Sequence, residues 1–298
     1  MSTNMAPLRV TPRQFREQLE RSIDVCGTMG IDINKGRIAS YLAVFRTLEA
    51  ASDNVTQLLD RQLVWAACCE TYDLSSLGLL PTGTLLSCRH RLHRLATGPG
   101  LYTDAGSADP GRDLAFELKT ALSFFEAGAE ISMSSPADVV ASFDDEKVLV
   151  ECKRINRKGG LRRRLEEGFD QFLQHRKTES GLGILALDIT RVVNKEFGVM
   201  VATQEAQATE IHREIESVLA NVQEERRRAN RNISNPSDVD ALMFRVLCMA
   251  GTPDGALESV GSTWQIHPLM ESNTKRFRRL YDVMQRLPGA DPGIFEFA

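Results

Sequence analysis

A chain of 298 residues with 42% hydrophobic residues has the material for one large or two medium cores, which excludes a globally disordered protein. Its net charge of −4 excludes adhesion to nucleic acid by bulk charge, and its longest apolar runs, 181–187 and 241–250, fall short of the ~18 residues a membrane helix needs. Six cysteines without a CxxC pair predict reduced thiols, and an N-terminus that meets Arg13 and Arg16 with no apolar segment before them predicts a cytoplasmic protein with no membrane partner.

The N-terminal part reads as helical. Thr11 suits a cap and Pro12 a first turn for a helix to about Gly27 carrying Phe15, Leu19, Ile23 and Cys26. Further helices fit Lys35 to Ala51, Val55 to Tyr72 and Thr84 to Leu95. Residues 1–98 therefore form an all-helical domain, open to three uses: a DNA-reading module, a homodimer surface or a platform for a partner protein. Arg89, Arg91 and Arg94 make its last helix mildly basic, and Cys88, His90 and His93 are its only metal-like cluster, without the second pair a zinc finger needs. The Gly-, Pro- and Asp-rich stretch 97–110 reads as a linker.

From residue 111 to 298 the period changes, and an α/β domain with a mixed sheet is expected. Arg112 to Ala127 carries an apolar helical stripe with Glu117 on its flank. Candidate strands follow at 129–134, 137–143 and 147–155, then a helix from Leu161 to Lys177 and an apolar strand from Gly181 to Thr190. The remainder reads as a helix over 197–230, strands at 239–250 and 263–268, and a closing helix from Asn273 to Leu287 capped near Asn273.

Chemistry concentrates in PADVVASFDDEKVLVECK, residues 136–153. Residues two apart in a strand share a face, so Glu151 and Lys153 point the same way while Cys152 points into the core. A turn centred between Asp145 and Glu146 sets Asp138 opposite Lys153 and diagonal to Glu151. Two carboxylates and an ammonium at a strand end suit Mg²⁺ or Mn²⁺, which would neutralise a phosphate and activate water for phosphodiester hydrolysis. Immediately afterwards Lys153, Arg154, Arg157, Lys158, Arg162, Arg163 and Arg164 run without an acidic residue between them, a surface for a polyanionic backbone. Solvated helix faces explain the smaller clusters at 226–231 and 275–279 as well as phosphate contact does.

The order helix with Glu117, Pro136-Ala137-Asp138, Glu151-Cys152-Lys153, then helix with Gln171 resembles the PD-(D/E)xK, or restriction-endonuclease-like, nuclease superfamily over roughly residues 112–190. The resemblance implies an αβββαβ core and a metal-dependent nuclease, DNA by default, in genome defence, repair or recombination. It makes Asp138, Glu151 and the Cys152 carbonyl metal ligands, Lys153 the catalytic lysine, Glu117 a ligand to a second metal or its water, and Gln171 a catalytic residue. Glu117 has a plainer reading too, a surface acid paired with Lys119 or Arg112. An Ala stands between Pro136 and Asp138, and His175 stands where one branch of the superfamily has a Tyr four positions after the Gln. Gln171 and His175 share a helix face and could bind phosphate or position the metal site. A non-catalytic nucleic-acid-binding or scaffold protein retaining the fold is the alternative.

Overall fold

The computed structural model describes residues 11–50, 61–98, 109–134, 137–144, 146–193, 239–251, 257–270, 272, 274–287 and 290–291, with isolated positions between 213 and 220. The helix expected over 197–230, the first residues of the third expected helix and most of the expected linker lie outside them. Among the described residues no helix is long and apolar enough to cross a membrane.

The chain divides into two compact units, one of Met1–Leu122 with Glu196–Val201 and Leu247–Gly261, the other of Ser123–Lys195, Ala202–Val246 and Ser262–Ala298. In the first, α1 (Pro12–Thr28) begins on a reciprocal cap: Gln14 N donates to Thr11 Oγ1 and Thr11 N donates to Gln14 Oε1. Helices α2 (Gly36–Ala50) and α3 (Arg61–Leu74) pack against it through Leu19, Cys26, Ile38, Tyr41, Phe45 and Ala66. The helix expected over 84–95 is broken into α4 (Thr82–Ser87), α5 (Arg89–Leu92) and a 3₁₀ turn, His93–Ala96. At the break the Cys88 amide and thiol both turn back onto the Leu85 carbonyl, at 3.2 and 3.4 Å, while Leu85, Cys88, Leu92 and Leu95 stay buried.

The boundary between the units falls inside α6 (Pro110–Glu126), not in the Gly-rich stretch before it. The physical reason is a buried ion network in the first unit. Asp109, placed by composition in a linker, accepts from Arg37 at 2.8 Å, and Arg112 binds Glu70. The first turn of α6 is thereby fastened to α2 and α3.

The described residues form a mixed sheet of seven strands, in spatial order β1 to β7: Glu130–Ser132, Val139–Ser142, Lys147–Arg154, Leu182–Asp188, Ala241–Gly251, Leu257–Pro268 and Ala290–Asp291, of which β1 to β4 lie wholly in the second unit. β1, β2 and β3 pair antiparallel, and β4 joins β3 in parallel through α7 (Leu161–His175). A parallel pair needs such a crossover, and its central strand is covered on both faces. All of β4 is accordingly buried. Helix α7 lies close to the sheet: a Cβ on Gly168 would stand 2.6 Å from Leu185 Cδ1. β5 continues the parallel pairing onto β4. A four-residue helix, α8 (Thr190–Val193), follows β4, and α9 (Lys275–Arg286) is capped by Thr274, whose Oγ1 accepts from Phe277 N at 3.0 Å, one residue later than the expected cap.

Asp240 fastens the second unit together. Its buried carboxylate accepts from Gly183 N at 2.6 Å, from Arg176 just beyond α7 at 3.0 Å and from Arg276 of α9 at 2.5 Å.

Candidate active site

The site rests on the β2–β3 hairpin. Val139 faces Val150 and Ser142 faces Lys147, and Phe143 and Glu146 close the hairpin by exchanging backbone bonds at 2.8 and 3.4 Å. The turn centre is one residue earlier than expected, so position 138 falls opposite Glu151 rather than Lys153. An even slip of two residues leaves every side chain on its expected face. Two side chains of α9 touch the turn: Arg279 reaches Glu146 at 3.3 Å, and the Arg286 guanidinium stands 5.5 Å from the centre of the Phe143 ring.

Asp138, Glu151 and Lys153 come together. Lys153 Nζ lies 3.1 Å from Glu151 Oε2, 3.7 Å from Asp138 Oδ2 and 3.2 Å from the Cys152 carbonyl oxygen. Cys152 N donates to Asp138 Oδ2 at 2.9 Å, which holds the aspartate against β3 although it stands just before β2. Glu151 is only 1% exposed. Its second oxygen, Oε1, is 2.7 Å from His175 Nε2 on α7.

Burial and the neighbouring Asp138 push the Glu151 carboxyl up to about 8, against the opposing pull of Lys153. Burial works against the Lys153 ammonium as well, but Asp138 and Glu151 outweigh it and raise its pKa. Burial lowers that of His175, against the opposing pull of Asp138. The sign for Glu151 follows from proton binding. Between its unfolded value of about 4.3 and the folded value of about 8, the folded state holds a proton that the unfolded state has lost, so stability falls as pH rises through that window. Metal-free Glu151→Gln should therefore melt above wild type at pH 8 and lose that advantage at pH 4, as a thermal-unfolding series would measure.

The donor set fits a small hard cation. Among the described residues no group of three or more His, Cys, Asp or Glu is placed to hold a metal ion. Mg²⁺ does not require one, because it is commonly held by one or two carboxylates and keeps several waters. Asp138 and Glu151 are two such carboxylates, both within reach of one ammonium.

Glu117 belongs to the first unit, where its carboxylate accepts from Arg91 at 2.6 Å, a partner different from the two expected by sequence. Gln171 is exposed on α7, and His175 rather than Gln171 meets Glu151. The signal for this was in the sequence. Leu161, Leu165, Gly168 and Phe172 form the buried stripe of α7, and at 3.6 residues per turn His175 falls about 50° from its centre and Gln171 about 90°.

The basic run also divides. Arg154 is buried beside its strand partner Asp188, Nε to Oδ2 3.4 Å, and so is not at a surface for a polyanion; Asp188 serves as its counter-ion together with that of Arg245. Arg162 pairs with Glu166 at 2.9 Å, and Arg163 and Arg164 pair with Glu167 at 3.2 and 3.0 Å. Arg157 is exposed, and the side chain of Lys158 lies outside the description. In the first unit, Arg89 is bonded to the Met29 carbonyl and Arg91 to Glu117, so two of the three arginines of the mildly basic helix are committed internally. Cys88 is buried while His90 and His93 are exposed, and burial raises the thiols of Cys26 and Cys68 to about 12 and that of Cys88 to about 11. Inert core thiols result.

No family model, no curated protein and no solved structure matches the chain.

Proposed function

We propose that Asp138, Glu151 and Lys153 form the centre of a metal-dependent nuclease that hydrolyses nucleic-acid phosphodiester bonds, with DNA as substrate and a restriction-endonuclease-like core. The single observation that carries this reading is the bridging of two carboxylates, one on β3 and one just before β2, by one lysine ammonium, at 3.1 and 3.7 Å, within the element order α6, β1, β2, β3, α7, β4. Asp138 and Glu151 would hold Mg²⁺ or Mn²⁺, with the Cys152 carbonyl beside them. When bound, the cation supplies charge neutralisation at the phosphate and a more acidic water. Lys153, released from between the carboxylates, places its ammonium where negative charge accumulates on the phosphate. Glu117 and Gln171 are given no part in this centre.

The test incubates the full chain with supercoiled plasmid, linear duplex, single-stranded DNA and RNA, each with Mg²⁺, Mn²⁺ or chelator. Cleavage that requires the metal supports the enzyme, and the circular and linear substrates separate endonuclease from exonuclease action. A non-catalytic nucleic-acid-binding protein is the second reading. It is favoured by one observation, that Lys153 and His175 engage both oxygens of Glu151. Binding without cleavage under all these conditions would select it.

Both readings place the backbone along Arg157, Arg162 and Arg163. The exposed ion pairs of Arg162 with Glu166 and of Arg163 with Glu167 are worth little and can be exchanged for phosphate. Arg162→Ala with Arg163→Ala should weaken DNA binding and reduce the slope of log affinity against log salt by about 2, measured by fluorescence anisotropy in a salt series. An unchanged slope would place the DNA elsewhere.

A further inference from the structure

We infer that His175 is a positioning residue for the cation site, donating its Nε2 proton to Glu151 Oε1 so that the carboxylate presents only Oε2 toward Asp138. The inference rests on the reading above of Asp138 and Glu151 as cation ligands. It starts from geometry: the two atoms are 2.7 Å apart, and Oε2 of the same carboxylate is the oxygen that the Lys153 ammonium reaches at 3.1 Å. One oxygen is thus held by a helix, and the other faces the position between the two acids.

Both partners are anchored. Glu151 lies in the middle of β3, paired with Leu185 of β4, and cannot shift without breaking the parallel ladder. His175 is the last residue of α7, whose approach to the sheet is set by Gly168 against Leu185 and whose end is held through Arg176 to Asp240. The imidazole side chain is 15% exposed, so its bond to the carboxylate is shielded from competition by solvent. When a bound cation keeps Glu151 ionised, both of its oxygens are acceptors, so the contact at Oε1 requires the proton on Nε2.

A ligating carboxylate whose orientation is fixed by a hydrogen bond binds its metal more tightly than a free rotor, and loss of such a supporting partner typically weakens binding about 10- to 100-fold. His175 would also decide how Glu151 coordinates. With Oε1 occupied, the glutamate contributes one oxygen, which leaves positions around a six-coordinate cation for water and phosphate.

The test measures Mn²⁺ binding to the full chain by isothermal titration calorimetry for wild type, His175→Leu and His175→Gln, with melting temperatures recorded alongside. Glutamine keeps an N–H donor at about the same distance from the backbone; leucine keeps bulk and removes the donor. The expected result is Mn²⁺ binding about 10- to 100-fold weaker for leucine and within about threefold of wild type for glutamine. In cleavage assays the Mn²⁺ concentration for half-maximal rate should rise for the leucine variant while KM for DNA stays constant, a split that general loosening of the fold would not produce. Wild-type affinity in the leucine variant overturns the inference and leaves the nuclease reading intact. Equal weakening in both variants overturns it in favour of direct ligation by the imidazole. Absence of Mn²⁺ binding in wild type overturns the cation site itself.

Discussion

Asp138→Asn should lower metal-dependent cleavage by about 10²- to 10³-fold or more, with the melting temperature of the metal-free protein little changed. The substitution is nearly isosteric. The asparagine oxygen can still accept from Cys152 N, the bond that holds residue 138 against β3 at 2.9 Å in the native chain, so the hairpin keeps its register. What disappears is one of two negative charges that a divalent cation needs. Lys153→Met should lower cleavage by a similar factor through a different route. Methionine retains most of the stem but not the ammonium that stands between Asp138 and Glu151. On the reading proposed above that ammonium competes with the cation for the two carboxylates, so its removal should leave Mn²⁺ affinity equal or higher while the rate falls. Calorimetry and single-turnover cleavage on the same preparations would reveal the opposite signature in the two variants: metal binding lost with Asp138→Asn, kept with Lys153→Met. Cleavage at the wild-type rate by either variant would remove the centre from this place in the molecule.

That centre was legible in the sequence to the extent that it depends on local periodicity. The order of α6, three strands, α7 and β4 follows from apolar stripes and alternation that are written in short windows. The assignment of faces in β3 needed only the two-residue period of a strand, and it survived a register error because the error was even. The register itself was not legible. The polar stretch 144–146 allows more than one turn, and because an even slip leaves every side chain on the same face, the alternation of apolar residues does not choose between them.

The same limit applies to His175. A sequence motif drew attention to Gln171, but the rotation of α7 about its axis is set by which side chains pack on the sheet. Leu165, Gly168 and Phe172 turn the helix so that His175 lies over Glu151 and Gln171 is exposed. The division of the basic run was not legible for a related reason. Counting charges along the chain gave no weight to the acids one helical turn ahead, Glu166 and Glu167, nor to burial of Arg154 against Asp188. Composition likewise made 97–110 a linker, although Asp109 is 7% exposed and is bound to two arginines.

Glu70→Gln should destabilise the first unit by about 3–5 kcal/mol, the range for removing one partner from a buried ion cluster. Two guanidiniums and two carboxylates balance there. Glu70 binds Arg37 Nε at 2.9 Å and Arg112 Nε at 2.5 Å and accepts from the Tyr41 hydroxyl at 2.7 Å, while Asp109 binds the other side of both arginines at 2.8 and 2.5 Å. Both arginine side chains are at most 5% exposed, so neither can turn to water when Glu70 loses its charge. Space is equally restricted: a Cβ on Gly111 would lie 2.7 Å from Arg37 Nη2. The chain has two tryptophans, Trp65 in the first unit and Trp264 in the second. In a Trp264→Phe background, urea titration followed by fluorescence reports on Trp65 and hence on the unit that carries Glu70. The midpoint should move sharply to lower urea with Glu70→Gln. Glu70→Leu combined with Arg37→Met should recover a substantial part of the loss, because the pair is then replaced rather than broken. A shift of less than about 1 kcal/mol with Glu70→Gln would mean that the guanidiniums find water on losing their partner, and that the network does not secure the first turn of α6.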